Sequence, residues 1–205
     1  MEYYIYNIPV FILKDVDFSV SIPEFCQEAE EFLAPSLLKN IEAVYVGDFS
    51  DLKGRNALYS DGAIYMTCDE PTSFDMVENF VHEVAHSLEP TYGWDIYTDD
   101  LVREFLGKRQ KLYHLITAEG FHINPALYGV IEYTPEFDEF LANKVGYPTL
   151  LSLTMGLFVS PYGATSVQEY FANGFEKYFL DSPRTVEKIS PVLYRKIEKV
   201  INADA

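Results

Sequence analysis

The sequence predicts a single α+β domain, helix-rich, with a small mixed sheet. Three observations carry that expectation. Short runs rich in β-branched and aromatic residues (YYIYNIPVFIL, IEAVYVGDF, NALYS, GAIYMTCD) are confined to the first 69 positions. After residue 70 the apolar residues recur at steps of three and four, the helical period. The chain has 205 residues, 48% of them hydrophobic and 16% aromatic, so it can bury a sizeable core and is no disordered segment. The expected layout is an N-terminal lobe over about 1–90 and a C-terminal helical lobe over about 91–205.

Taken in order, residues 3–13 read as one strand. EFCQEAEEFLAPSLLK (24–39) has helical spacing through Phe25, Ala29, Phe32 and Leu33, with a break at Pro35. Residues 41–49 read as a strand. NALYS and GAIYMTCD follow, joined at Asp61-Gly62, a hairpin signal. Glu70-Pro71-Thr72-Ser73 announces a helix that Thr72 or Ser73 can cap, with Asp75 completing a weak capping box. Phe74, Val77, Val81, Val84 and Leu88 give it one apolar face, and it is expected to stop near Pro90. Residues 95–118 look helical, 121–137 irregular, 137–146 a short helix, and 148–160 (PTLLSLTMGLFVS) resists assignment. SVQEYFANGFEKYFL (166–180) is a strong amphipathic helix. Ser182-Pro183 and Ser190-Pro191 each place a cap before a first-turn proline and open two closing helices.

The formal charge is -17, from 15 Lys+Arg against 32 Asp+Glu. A surface this acidic repels phosphate backbones and disfavours nucleic acid, and it favours basic peptides or metal cations as partners. Acidity also simply keeps a protein soluble. The start of the chain has no basic n-region, and its apolar run is broken by Pro9, Lys14 and Asp15. Neither a signal peptide nor a membrane span is expected, which makes the cytoplasm the default location. Cys26 and Cys68 lie far apart without a paired motif and suggest free thiols.

The chemistry is concentrated in NFVHEVAHSLE, Asn79 to Glu89. On a helix His82 and His86 share one face a turn apart, so both imidazoles can reach one ion. Two histidines and a third ligand suit zinc and leave a position for water. Glu83, beside that position, can take a proton from the metal-activated water and hand it to the leaving amine of a cleaved peptide. The bland alternative is a polar stripe that carries these residues by chance. A histidine six residues after His86 would complete one layout, but Tyr92 stands there. A glutamate twenty residues on would complete another, but position 106 is Leu. Asp95, Asp99, His114, His122 and Glu169 remain as candidates. Glu169 also completes a capping box with Ser166, although Thr165 and Gln168 make an equally good box that would release it.

HEVAHSLE followed by SVQEYFANGFEKYFL resembles the zinc peptidases that include the anthrax lethal factor catalytic domain and the Pro-Pro endopeptidases. That family carries an acidic residue three after the second histidine, here Glu89. It has a downstream E-[FY]-F-A-x-x-F helix, matched by EYFANGF, and a tyrosine seven residues before its leading glutamate, here Tyr162. The resemblance covers about 60–90 and 160–200. It implies a zincin-like metallopeptidase fold with one Zn2+ held by His82, His86 and Glu169. Glu83 would be the general base, and Tyr162 a hydrogen-bond donor to the developing oxyanion or leaving group. Glu89 and Asn173 would stand behind the ligands. Ile64, Tyr65, Met66 and Thr67, before the active-site helix, would form an edge strand that pairs with an extended substrate.

Two features depart from the family. Asn173 replaces an acidic residue; its amide oxygen can still accept from an imidazole N–H but leaves the histidine less basic. The segment between His86 and Glu169 is longer, so about 95–155 is expected to form an extra subdomain or lid. The resulting expectation is a zinc-dependent endopeptidase acting on a peptide or protein, with basic substrates favoured. Delivery into another cell, or action in a virus-infected cell, fits equally well. The alternative is a catalytically silent relative serving as a binding or structural module. The oligomeric state is left open.

Overall fold

The computed structural model describes residues 2–13, 20–52, 54–67 and 69–204. They form two compact units, one running to Thr91 and the other from Tyr92 to Ala203. The architecture is α+β, and all strands among the described residues belong to the first unit. No helix among these residues is long and apolar enough to cross a membrane. Cys26 is a buried free thiol whose pKa is pushed up to about 11 by burial and by Glu30; Cys68 lies outside the described residues.

The first unit is a mixed five-stranded sheet, with strands β1 (Tyr3–Ile5), β2 (Ile8–Ile12), β3 (Ala43–Val46), β4 (Ala57–Ser60) and β5 (Ala63–Met66). Their order is β1-β2-β3-β5-β4; the two central pairings are parallel and the two outer ones antiparallel. The expected single strand over 3–13 is therefore two, folded back at Tyr6-Asn7. Tyr6 takes a left-handed φ of 53°, which a tyrosine rarely adopts. Contacts from helix α1 (Ile22–Phe32) impose the bend. The Tyr6 N–H donates to the Glu30 carboxylate, and the Tyr6 hydroxyl lies 2.9 Å from both the Glu30 and the Leu33 carbonyl oxygens. The Asp61-Gly62 hairpin forms as expected, both residues having positive φ. Val10, Val44, Val46, Ile64 and Met66 are buried, as are Phe25 and Phe80, whose rings meet edge-on at 5.7 Å.

Helix α2 (Ser73–Ile96) carries the HExxH motif. Thr72 caps it: its Oγ1 accepts the Asp75 N–H at 3.1 Å and donates to the Asp75 carboxylate at 2.6 Å. Met76, Val77, Phe80, Val81, Val84, Ala85 and Leu88 are fully buried, while Phe74, expected on the apolar face, is 36% exposed. The helix does not stop at Pro90; the proline sits inside it. The proline nitrogen carries no N–H to donate to the turn before it. The turn is braced from outside: Asn40 Nδ2 donates to the Ser87 carbonyl at 2.7 Å and to Thr91 Oγ1 at 3.0 Å.

The second unit is helical. Helix α3 (Asp99–Ala118) follows a break at Tyr97-Thr98 inside the expected 95–118 segment. A 3-10 turn, Pro125–Gly129, interrupts the irregular stretch. Then come α4 (Pro135–Glu139), a π-helical run Phe140–Gly146, and α5 (Tyr147–Thr154), which occupies the start of the unassigned apolar segment. The closing helices are α6 (Val167–Leu180), α7 (Pro183–Ile189) and α8 (Pro191–Ile201). Leu101, Phe105, Leu112 and Ile116 of α3 are fully buried, and the Phe105 ring lies 5.5 Å from that of Tyr170 on α6. This part of the long segment is thus core of the second unit. Ser182 and Ser190 precede their helices as expected, but neither makes a side-chain cap bond. At α8 the carboxylate of Glu104 takes the N–H groups of Val192 and Leu193 instead, at 2.9 and 3.1 Å.

Candidate metal centre

His82 and His86 lie one turn apart on α2, half-buried, with ring centroids 5.1 Å apart. The sequence sets this spacing, and a contact one turn on along the same helix orients the His86 ring. His86 Nδ1 is 2.7 Å from Glu89 Oε1. When Nδ1–H donates to that carboxylate, the Nε2 lone pair is the one left for a ligand bond.

Glu169 lies in the first turn of α6. The expected ambiguity over its cap resolves in favour of Ser166. Ser166 has extended backbone and its Oγ accepts the Glu169 N–H at 3.1 Å. Thr165 makes no box with Gln168; its hydroxyl donates to the Tyr162 carbonyl at 2.8 Å. The cap therefore uses the backbone of Glu169. One ligand atom from each of His82, His86 and Glu169 lies within 4.8 Å of the others, so these three groups could hold a metal ion. Two imidazole nitrogens and one carboxylate oxygen are a sound donor set for a divalent ion. The other candidates do not join this cluster among the described residues. Asp95 pairs with Lys199 at 2.5 Å, and His114 Nε2 lies 3.1 Å from Gln110 Nε2.

Glu83, between the histidines, is 8% exposed. Its Oε2 accepts the backbone N–H of Tyr59 at 2.7 Å. Ser60 and Ala63 flank the two-residue turn and form the hydrogen-bonded pair, so the Tyr59 N–H points away from β5 and is open to Glu83. No sequence signal marked Tyr59, because its contribution is a backbone group.

One expectation is corrected. Ile64, Tyr65 and Met66 form no edge strand: β5 lies between β3 and β4, with both sides taken. Ile64 and Met66 are fully buried, and the Thr67 N–H is spent on the Asn56 carbonyl at 2.8 Å. The hairpin placed its second arm inside the sheet and its first, β4, at the end. Asn173 sits on the same helix as Glu169, and its amide nitrogen, not the oxygen expected to accept from an imidazole, makes a local bond. Its Nδ2 donates to the Glu169 carbonyl one turn back at 2.8 Å, a bond within its own helix.

Tyr162 opens a short 3-10 turn, Tyr162–Ala164, just before α6. Its N–H donates to Ser160 Oγ at 3.2 Å, and its half-buried side chain borders a small depression with Asp138, Leu141, Tyr147 and Leu150. Comparison of the chain with protein-family models, with curated proteins and with solved structures finds no match.

Proposed function

We propose that this chain is a zinc-dependent endopeptidase of the zincin type, resembling the lethal factor and Pro-Pro endopeptidase family. The convergence of His82, His86 and Glu169 carries this reading. Zinc held by these three would polarise a carbonyl oxygen and lower the pKa of a coordinated water to about 7. The remaining roles belong to the chain. Glu83 takes a proton from the attacking water on a carboxylate oxygen and passes it to the leaving amine nitrogen. The Tyr59 N–H orients that carboxylate, and accepting one bond leaves lone pairs for a water. Glu89 holds the His86 ring in the ligating tautomer. The Tyr162 hydroxyl, by resemblance, donates to the oxygen on which charge develops. The substrate is a peptide or protein, and the charge of -17 favours basic ones.

A proteome-derived peptide library treated with wild type and with Glu83→Gln tests this, with zinc measured on both. The expected result is one zinc per chain in each and cuts that fall by about 10²–10⁴ in the variant. Zinc bound by both proteins with no cuts from wild type would support the silent binding or structural module instead.

A further inference from the structure

We propose that Arg109, on α3, is a positioning residue that sets the backbone from which Glu169 projects. This rests on the metal-centre reading above and extends it to the second unit's core. The Arg109 side chain is 1% exposed. Its Nη1 donates to the carbonyls of Ala164 at 2.8 Å and Thr165 at 3.2 Å, and its Nη2 to that of Leu127 at 2.6 Å. The guanidinium carbon lies 4.0 Å from the centroid of the Phe137 ring and 5.2 Å from that of Phe105. The guanidinium thus meets neutral carbonyls and ring faces.

Burying a cation among neutral groups is costly, so a fully apolar residue would serve plain packing better. What arginine adds is a rigid planar fork that can hold several carbonyls at fixed angles; the single ammonium of lysine cannot. Those carbonyls are well placed. Ala164 and Thr165 immediately precede Ser166, whose Oγ takes the Glu169 N–H. The Val167 N–H donates to the Ile131 carbonyl at 2.8 Å, a second tie from the Leu127 side of the clamp to the start of α6. One guanidinium therefore joins α3, the 3-10 turn at Pro125–Gly129 and the turn that launches α6. A metal ligand must be held within about 0.5 Å of its productive place, and Glu169 sits on the first turn, where an unbraced helix frays.

The test is a double-mutant cycle on the full chain. Zinc affinity is read by competition with a chromogenic chelator for wild type, Arg109→Met, Glu169→Gln and the double variant, with thermal unfolding of the metal-free proteins alongside. Arg109→Met is expected to weaken zinc binding roughly 10- to 100-fold. Added to Glu169→Gln it should cost less than about threefold more, because both changes act on the same ligand. Arg109→Lys should fall in between, and it carries the same cycle if Arg109→Met does not fold. A lowered Tm with unchanged zinc affinity, or losses that simply add, would mean a purely structural arginine and overturn the proposal. Wild type that binds no zinc, or Glu169→Gln that binds as wild type does, would instead overturn the metal-centre reading, and the proposal with it.

Discussion

Lys108 and Arg109 are adjacent, both buried, and differ in what they hold. Lys108 Nζ donates to the carbonyls of Leu157 at 2.6 Å and Ile189 at 2.7 Å, and it lies 5.8 Å from the ring centroids of Phe158 and Tyr170. Burial pushes its pKa down to about 8, against a partial opposing pull from Glu104. An unfolded chain keeps that proton up to the ordinary value of 10.5. Between pH 8 and 10.5 the unfolded state therefore binds more protons, so the Lys108 contribution to stability rises with pH. Above pH 9 Cys26 works the other way, since its thiol is held protonated up to about 11 in the folded chain. Urea unfolding at pH 7.5 and 9 should show wild type gaining stability relative to Lys108→Met; identical pH dependence in the two would contradict the assignment. The stretch KRQK (108–111) carries three basic residues and a glutamine. Yet positions 108 and 109 fall on the same helical face as the fully buried Leu101, Phe105, Leu112 and Ile116, which is the signal that could have exposed them. The HExxH spacing was readable directly, because i, i+4 geometry follows from the helix alone, whereas Glu89 was singled out by the resemblance. The bond from the Asn173 amide nitrogen to the Glu169 carbonyl is likewise a local contact one helical turn long.

At the scale of elements, periodicity and caps located α1, α2, α6, α7 and α8 and both arms of the Asp61-Gly62 hairpin. The errors share a cause: long-range bonds overrode local preference. Tyr6-Asn7 is a weak turn signal, and α1 enforces the bend there. Pro90 is a strong stop signal, and Asn40, about fifty positions earlier, braces the turn around it. Strand order is not written in strand patterns either, which is why β5 was mistaken for an edge. The helix pair α6 and α8 offers a measurable case. A Cβ on Gly174 would collide with Leu193 Cδ2 and stand 3.0 Å from its Cγ, and Leu193 is fully buried, so its shift must be taken up by the core around it. Gly174→Ala gains about 1 kcal/mol of helix propensity but overpacks at a cost of about 1–3 kcal/mol. The expected net effect is lower stability in urea unfolding; a stabilised variant would show that the two helices can part freely.

For the molecule as a whole, apolar periodicity foretold the α+β class and the helix-rich second half, because both follow from where the two periodicities occur. The donor cluster was half readable. His82 and His86 stand four apart, whereas Glu169 is 83 positions beyond His86 and was singled out only by resemblance. The most direct measurement of the central claim is zinc stoichiometry and affinity at neutral pH, for wild type and for His82→Asn. One zinc per wild-type chain, with affinity sharply reduced in the variant, is the predicted result. Wild type that binds no zinc even when zinc is supplied, or a variant that binds it equally well, would contradict it.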